Sequence, residues 1–201
     1  MRLLQYTHPR KPAATFGYSG NPAVLGALNF VEQIQGGVTI VVDSSNMFLG
    51  GRNCHWRVDF SAVRNHLSGD KLVAAHAVAS LPPNRHRASQ SAFFCFLQRT
   101  GWRVHTHRAQ LDSAGNTVEN EAAVDGGVRA LIRSAAASSD VDSVVVLSGD
   151  GGMTDAVHVA RCAGKSVYVV AWEGTLNPAL AEAATDSAFI EELRPLIARL
   201  H

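Results

Sequence analysis

Five short apolar runs recur along the chain from residue 38 onward, and the pattern predicts that each is a buried β-strand. The runs cover residues 38–43, 72–80, 102–109, 142–148 and 166–172. Between them, the apolar positions follow helical spacing over residues 59–67, 89–100, 120–138 and 154–163. Strands that alternate with helices indicate an α/β three-layer sandwich, in which helices cover both faces of a mostly parallel central sheet.

The first 36 residues differ from the rest because they show little periodicity. They contain three prolines and several glycines, although residues 22–34 have the spacing of a short helix. We therefore predict an N-terminal extension or linker over residues 1–36 and one domain over residues 37–201. A chain of 201 residues is long enough for one well-buried core.

The composition, 46% hydrophobic and 17% charged, is typical of a soluble globular protein. No apolar stretch approaches the ~20 residues of a membrane-spanning helix, and the N-terminus lacks the apolar core of a secretory signal. We therefore expect a cytoplasmic protein without membrane contact. The three cysteines are widely spaced, which argues against a disulfide framework, and the apolar surroundings of Cys95 and Cys162 predict that both lie in the core.

Charge is segregated along the chain, although the net charge is only +1. No acidic residue occurs from Lys71 to Leu111, whereas eight acids and two arginines occur from Asp112 to Asp155. A basic segment beside an acidic one is consistent with a surface for a polyanion next to a metal site, and equally with solvated surface.

Two acids directly follow predicted strands. Asp43 ends the first apolar run and Asp150 follows the fourth. Ligands of a parallel sheet bind beyond the carboxyl ends of its strands, where the strand order reverses. Carboxylates that meet there repel each other unless one is protonated or a cation lies between them, and Mg²⁺ or Mn²⁺ suits oxygen ligands. Alternatively, Asp43 is a turn acid and the SGDGG run around Asp150 is only a tight turn.

A series of motifs in fixed order carries a family resemblance. In chain order they are VVDSSNMF, VDFSAV, GWRVHTHR, ENEAAVDGGVRALI, DSVVVLSGDGGMTDAVHVARCAGKSVYVVAW and LAEAATDSAFIEEL. Over residues 38–192 the sequence resembles the NYN domain family, whose members are relatives of the PIN-domain ribonucleases. The resemblance implies a PIN-like, Rossmann-like sheet, an acidic pocket that holds Mg²⁺ or Mn²⁺, and metal-dependent cleavage of RNA.

The resemblance also implies roles for residues of this chain. It makes Asp43, Asp125 and Asp150 the catalytic metal ligands. The family's asparagine falls on Asn46, which follows Asp43 by three residues and can orient a water or contact a phosphate. We assign Asn46 and Ser148 as substrate-binding residues.

The sequence departs from the family pattern in several places: Gly152 replaces an acid, Met153 replaces an aromatic residue, and the family's lysine before the acid of the central helix is absent. The family carries a second acid two residues after the aspartate of its SGD motif. In this chain that position is Gly152, so the site has one carboxylate fewer. Asp155 lies about one helical turn further on, and we assign it as a metal ligand in place of the missing acid. The departure leaves an alternative function, a catalytically reduced RNA-binding or regulatory module. A third candidate, a Rossmann-type nucleotide-binding enzyme, lacks the GxGxxG loop after the first strand.

The segment LPPNRHRASQ after the second strand carries the expected contacts with RNA. Arg85 and Arg87 are predicted to bind the phosphate backbone, or else to form an exposed basic loop. Trp56 lies in polar loop sequence and is the candidate for stacking on a base, whereas the phenylalanines within residues 93–96 are assigned to the core. RNA is thus the expected partner, bound by a monomer or a homodimer.

His105 and His107 are two residues apart in a predicted strand, so their side chains share one face. Such a pair suits a metal ion. Arg103 falls on the same face, which favours exposure or phosphate contact instead.

Overall fold

The computed structural model describes residues 21–51, 54–81, 87–111, 117–118 and 120–199. The helices are α1 (Pro22–Glu32), α2 (Ser44–Gly50), α3 (Phe60–Ser68), α4 (Arg87–Arg99), α5 (Glu121–Ala137), α6 (Thr154–Cys162), α7 (Pro178–Ala183) and α8 (Ile190–Ile197). The strands are β1 (Val38–Asp43), β2 (Leu72–Leu81), β3 (Arg103–Arg108), β4 (Gln110–Leu111), β5 (Thr117–Val118), β6 (Ser143–Leu147), β7 (Ser166–Ala171) and β8 (Asp186–Phe189).

Six strands form one sheet in the order β3-β2-β1-β6-β7-β8, and every neighbouring pair is parallel. The chain starts in the middle with β1 and runs outward to β3. It then returns to β6, which pairs with the other edge of β1, and runs outward to β8. The strand order therefore reverses between β1 and β6, and this is the point of a parallel sheet at which ligands bind.

Five of the described helices begin at an Asn or Asp whose side chain accepts a hydrogen bond from a backbone N–H of the first turn. This is the usual N-cap arrangement, which satisfies amides that have no partner inside the helix. The capping residues are Asn21, Asp43, Asp59, Asn120 and Asn177. The caps fix where each helix leaves the sheet edge, and hence where its first turn lies.

The two faces of the sheet carry separate hydrophobic cores. Helices α1, α3, α4 and α8 cover one face and contribute the buried Phe30, Leu67, Leu97 and Leu193. Helices α5, α6 and α7 cover the other face and contribute Ile132, Val157 and Leu180. The predicted α/β three-layer sandwich is confirmed, and the large sheet is parallel throughout.

Helix α1 lies within the predicted N-terminal extension and packs onto α8. The Phe30 ring meets the Tyr168 ring edge-on, with centroids 5.9 Å apart. The Tyr168 hydroxyl donates a hydrogen bond to the carbonyl oxygen of Gln33. Residues 21–36 are therefore held against the same core as the sheet.

Cys95 and Cys162 are exposed, so the prediction that they lie in the core is wrong. Both have apolar neighbours in sequence, but the helical repeat turns those neighbours inward and the cysteines outward. Leu97 of α4 is buried, as are Ala156, Val157 and Ala160 of α6. Within the described ranges, no helix has the length and apolar character needed to cross a membrane.

Candidate metal centre

Asp43 is the last residue of β1 and the N-cap of α2. Its Oδ1 accepts hydrogen bonds from the backbone N–H groups of Ser45 at 3.1 Å and Asn46 at 3.0 Å. The side chain is 4% exposed. The carboxylate is therefore held rigidly at the carboxyl end of a central strand.

Ser148 links Asp43 to the segment that follows β6. Its hydroxyl donates to Asp43 Oδ2 at 3.4 Å and accepts a hydrogen bond from the backbone N–H of Asp150 at 3.2 Å. Asp150 in turn caps a 3₁₀ turn, Gly151–Met153, where its Oδ1 accepts from the N–H of Gly152 at 2.8 Å. Two acids more than a hundred residues apart in sequence are thus joined through one buried hydroxyl.

Asn46 makes a second link across the same point. Its Oδ1 accepts a hydrogen bond from the backbone N–H of Gly149 at 3.1 Å. Asp43, Asn46, Ser148 and Asp150 therefore form one hydrogen-bonded group at the strand reversal between β1 and β6. The sequence predicted this location for the two acids, Asp43 and Asp150, while the roles of all four residues in metal and substrate binding stay predictions.

Asp125 is half-buried in α5, the helix that packs on β1 and β2. Arg129 lies one helical turn further along, and its Nη1 donates to the carbonyl oxygen of Gly152 at 3.5 Å. The face of α5 that carries Asp125 and Arg129 therefore lies against the 3₁₀ turn. Sequence reasoning missed Arg129, although its spacing from Asp125 would have placed it there.

Asp155 is exposed in the first turn of α6. Within the described part of the chain, no three His, Cys, Asp or Glu side chains are grouped closely enough to hold a metal ion. The donors at the strand reversal are carboxylate and hydroxyl oxygens. They fit Mg²⁺ or Mn²⁺, because Mg²⁺ commonly binds one or two carboxylates and keeps several waters.

Ser44 carries a buried hydroxyl group next to Asp43 in the sequence. It follows Asp43 directly and is 1% exposed, yet its hydroxyl has no hydrogen-bond partner among the described residues. A buried polar atom without a partner is characteristic of a site that takes up a water or an ion.

Two glycines of the SGDGG run are required by packing. A Cβ at Gly149 would lie 2.4 Å from the Thr175 carbonyl oxygen, and one at Gly151 would lie 2.5 Å from Asn177 Nδ2. At Gly152 the nearest atom is Asp150 Oδ1 at 3.4 Å, an ordinary contact. The turn that carries Asp150 is therefore pressed against the residues between β7 and α7.

Replacing Gly149 by Ala is expected to lower the free energy of unfolding by about 1–3 kcal/mol, because backbone atoms must shift to admit the methyl group. Gly152→Ala is the matched control in the same turn, and we expect it to change stability by less than about 0.5 kcal/mol. Urea unfolding of both variants measures the difference. Equal stabilities would contradict the packing account.

His76 and His105 form a pair on the α5 side of the sheet. His76 Nδ1 and His105 Nε2 lie 2.9 Å apart. Burial, followed by the positive charges of His105 and Arg103, lowers the pKa of His76 from 6.5 to about 4. Burial also lowers the pKa of His105, as do His107 and Arg103. Both rings are consequently neutral at pH 7 and share one hydrogen bond.

The His76 pair gives stability a pH dependence of known sign. The pKa of His76 is lower in the folded state, so the unfolded chain binds more protons between pH 6.5 and 4, and stability falls as the pH falls through that range. We expect His76→Gln to remove on the order of 1 kcal/mol of this loss, after discounting for solvent screening. Urea unfolding at pH 7 and pH 4.5 measures how far the free energy of unfolding falls in the wild type and in His76→Gln. An equal fall in both proteins would contradict the role of His76.

The predicted RNA contacts are only partly described. Arg85 lies outside the described residues, and Arg87 begins α4 with its side chain outside them. Trp56 is half-buried, with its ring 5.6 Å from the Trp172 ring and the Arg194 guanidinium 5.5 Å from its centre. Neighbours therefore surround the Trp56 ring on more than one side.

Phe96 lies on the surface, although the sequence assigned it to the core. Phe93 and Phe94 are half-buried and pack against the core, but Phe96 is 45% exposed. The helical repeat places Phe96 on the outer side of α4, next to the buried Leu97. The assignment of Phe96 is therefore wrong.

Comparison with known proteins gives a family and a related fold. The profile of the NYN domain matches residues 37–192. A crystal structure of a protein of unknown function from Vibrio parahaemolyticus is similar with a TM-score of 0.61 and 19% sequence identity, covering 78% of this chain and 94% of that one. No curated protein matches the sequence. At this identity the structural likeness concerns the fold alone.

Proposed function

Because this chain belongs to the NYN domain family, a group of nuclease-like proteins, we propose that it is a metal-dependent ribonuclease. The observation that supports the proposal is the hydrogen-bonded group of Asp43, Asn46, Ser148 and Asp150 at the strand reversal. Asp43 and Asp150 would hold Mg²⁺ or Mn²⁺, with Asp125 and Asp155 as further proposed ligands. The ion, when bound, supplies positive charge that activates a water and polarises the scissile phosphate.

The residues around the two acids would orient them and the substrate. Ser148 fixes Asp43 relative to Asp150, because its hydroxyl bonds to the carboxylate of one and the backbone of the other. Asn46 holds the loop after β6 in place through Gly149. Both residues leave polar groups beside the acids, where a phosphate oxygen would bind.

Basic side chains would bind the phosphate backbone. Arg129 lies beside Gly152 and places a cation next to the acids. Arg85 and Arg87, which follow β2 in the sequence, are the further proposed contacts. A cation at the scissile phosphate offsets the charge that develops there during cleavage.

We expect single-stranded RNA to be cleaved in millimolar Mn²⁺ or Mg²⁺ and to remain intact in excess EDTA. Mn²⁺ at about ten times its Kd should also raise the Tm of the wild type by roughly 3–6 °C, because it binds only the folded state. Asp150→Asn should lose that rise. Cleavage gels and thermal unfolding measure the two effects. An equal rise in Tm for both proteins would overturn the assignment of Asp150.

The alternative is an RNA-binding module of the same family without cleavage. The observation that favours it is the guanidinium of Arg129 beside Gly152, where the family pattern has an acid. A cation there favours phosphate binding and disfavours a metal ion. RNA binding without metal-dependent cleavage on several RNAs would establish this function instead.

A further inference from the structure

A second concave site lies at the other end of α2 from Asp43. It is a pocket of about 810 Å³ between α2, α4, the start of α3 and the residue after β7. Six of its lining residues are aromatic: Phe48, Trp56, Phe60, Phe93, Phe96 and Trp172. The volume lies in the range of sites that bind small molecules or nucleotides.

The rings form a fixed floor and an open rim. Trp172 is buried, and its Nε1 donates to the Met47 carbonyl oxygen at 2.9 Å, which anchors the floor to α2. Phe48 is 53% exposed and Phe96 45% exposed. The Phe48 ring meets the Phe93 ring edge-on at 5.2 Å, so its own outer face stays open. Exposed aromatic rings that rim a pocket mark a binding site.

The charge around the rings favours an anionic ligand. Arg57 and Arg199 both line the pocket and are exposed. The backbone N–H of Arg199 bonds to the Arg57 carbonyl oxygen at 2.9 Å, which holds the two residues side by side. Asp59, the acidic residue of the lining, accepts backbone N–H bonds as the N-cap of α3. Open aromatic rings beside arginines are what single-stranded nucleic acid binds: the bases stack and the phosphates pair.

The pocket and the candidate metal centre are close enough for one strand of RNA to reach both. Phe48 follows Asp43 by five residues along α2. At 1.5 Å per residue this separates them by about 7.5 Å along the helix axis. Stacked bases are about 3.4 Å apart, so the span corresponds to roughly two nucleotides.

We propose that this pocket is a base subsite: it accepts one unpaired nucleobase of the RNA, stacked on Phe48 and Phe96, with a flanking phosphate on Arg57 and Arg199. The subsite lies within about two nucleotides of the phosphate at Asp43. It would select single-stranded over double-stranded RNA, because a base inside a duplex cannot enter. The inference rests on the proposed ribonuclease function for its ligand class.

The test compares two labelled ligands by fluorescence anisotropy in EDTA, which prevents metal-dependent cleavage. One is a short oligoadenylate and the other is an abasic oligomer with the same number of phosphates. The wild type should bind the oligoadenylate about tenfold more tightly, since stacking strengthens binding and every base offers a ring face. Phe48→Leu combined with Phe96→Leu should abolish this preference and leave abasic binding unchanged. Val159→Ala, which trims an exposed apolar residue of α6, should change neither.

The arginines give an independent arm. Arg57→Ala should weaken the binding of both ligands to the same degree. It should also make the fall of log affinity with log salt shallower by roughly one unit of slope. Arg133→Ala, an exposed arginine of α5, is the charge-matched control and should have no such effect. Because the substituted side chains are exposed, the Tm of each variant should stay near that of the wild type, which is checked first.

The outcomes separate this inference from the proposed function. Equal binding of both ligands by the wild type, or a base preference that survives the double Phe variant, overturns the subsite. Either result is also what we expect if the natural ligand of the pocket is a polypeptide. Base preference without Mn²⁺-dependent cleavage supports the subsite and removes only the ribonuclease proposal. Cleavage without base preference removes only the subsite.

Discussion

Replacing Asp43 by Asn is expected to lower Mn²⁺-dependent RNA cleavage by about three orders of magnitude, with little change in the free energy of unfolding. The carboxylate has two roles that this substitution separates. Its Oδ1 caps α2 by accepting N–H bonds from Ser45 and Asn46, and an Asn side chain keeps an oxygen for that purpose. The Ser148 hydroxyl can reverse its bond and accept from the new amide. The negative charge alone is lost.

Asp43→Ala is the companion variant. It should lose cleavage to the same extent and, in addition, about 1 kcal/mol of stability through the missing cap. Cleavage rates in excess enzyme and urea unfolding give the two quantities for each protein. If Asp43→Asn cleaves at the rate of the wild type, Asp43 is only the turn acid that begins α2.

The Gly152→Asp variant is expected to bind Mn²⁺ roughly 10–100 times more tightly than the wild type. A Cβ at this position has room: it would lie 3.4 and 3.5 Å from the Asp150 carboxylate oxygens. The glycines with positive φ do not include Gly152, so an Asp meets no backbone strain there. Two carboxylates so close together repel each other, and a divalent cation relieves that repulsion.

Arg129 determines how much of this gain is realised. Its Nη1 would lie 3.6 Å from the new Cβ, so the guanidinium would pair with the added carboxylate and compete with the ion. The double variant Gly152→Asp with Arg129→Ala should therefore bind Mn²⁺ more tightly than Gly152→Asp alone. Calorimetric titration compares both with Gly152→Ala, which adds bulk without charge. Unchanged affinity in both variants would show that no ion is held at the 3₁₀ turn.

The main strands could be predicted because their sequence pattern is continuous. In β1 all six residues are buried, which gives the apolar run VTIVVD. β6 and β7 read in the same way. By contrast, α2 and β8 were missed, since seven and four residues are too few for periodicity to develop.

The candidate site was predictable only to the level of the sheet edge. Parallel strands place Asp43 and Asp150 beyond their carboxyl ends, and this follows from sequence order alone. The bridging role of Ser148 and the approach of Arg129 to Gly152 depend on how α5 and the 3₁₀ turn pack. The pocket was also missed, because its rings come from four separate segments and only the tertiary structure brings them together.

The pairing of β1 with β6 affects how the chain folds during its synthesis. Asp43 and its bridging partner Ser148 are 105 residues apart. At a synthesis rate of about 5–20 residues per second, β1 waits roughly 5–20 s on the ribosome before β6 can pair with it. Throughout that interval one edge of a strand whose six residues are all buried in the folded protein is open to wrong partners. The hydrogen-bonded group at the strand reversal therefore cannot form until the chain has been made as far as Asp150.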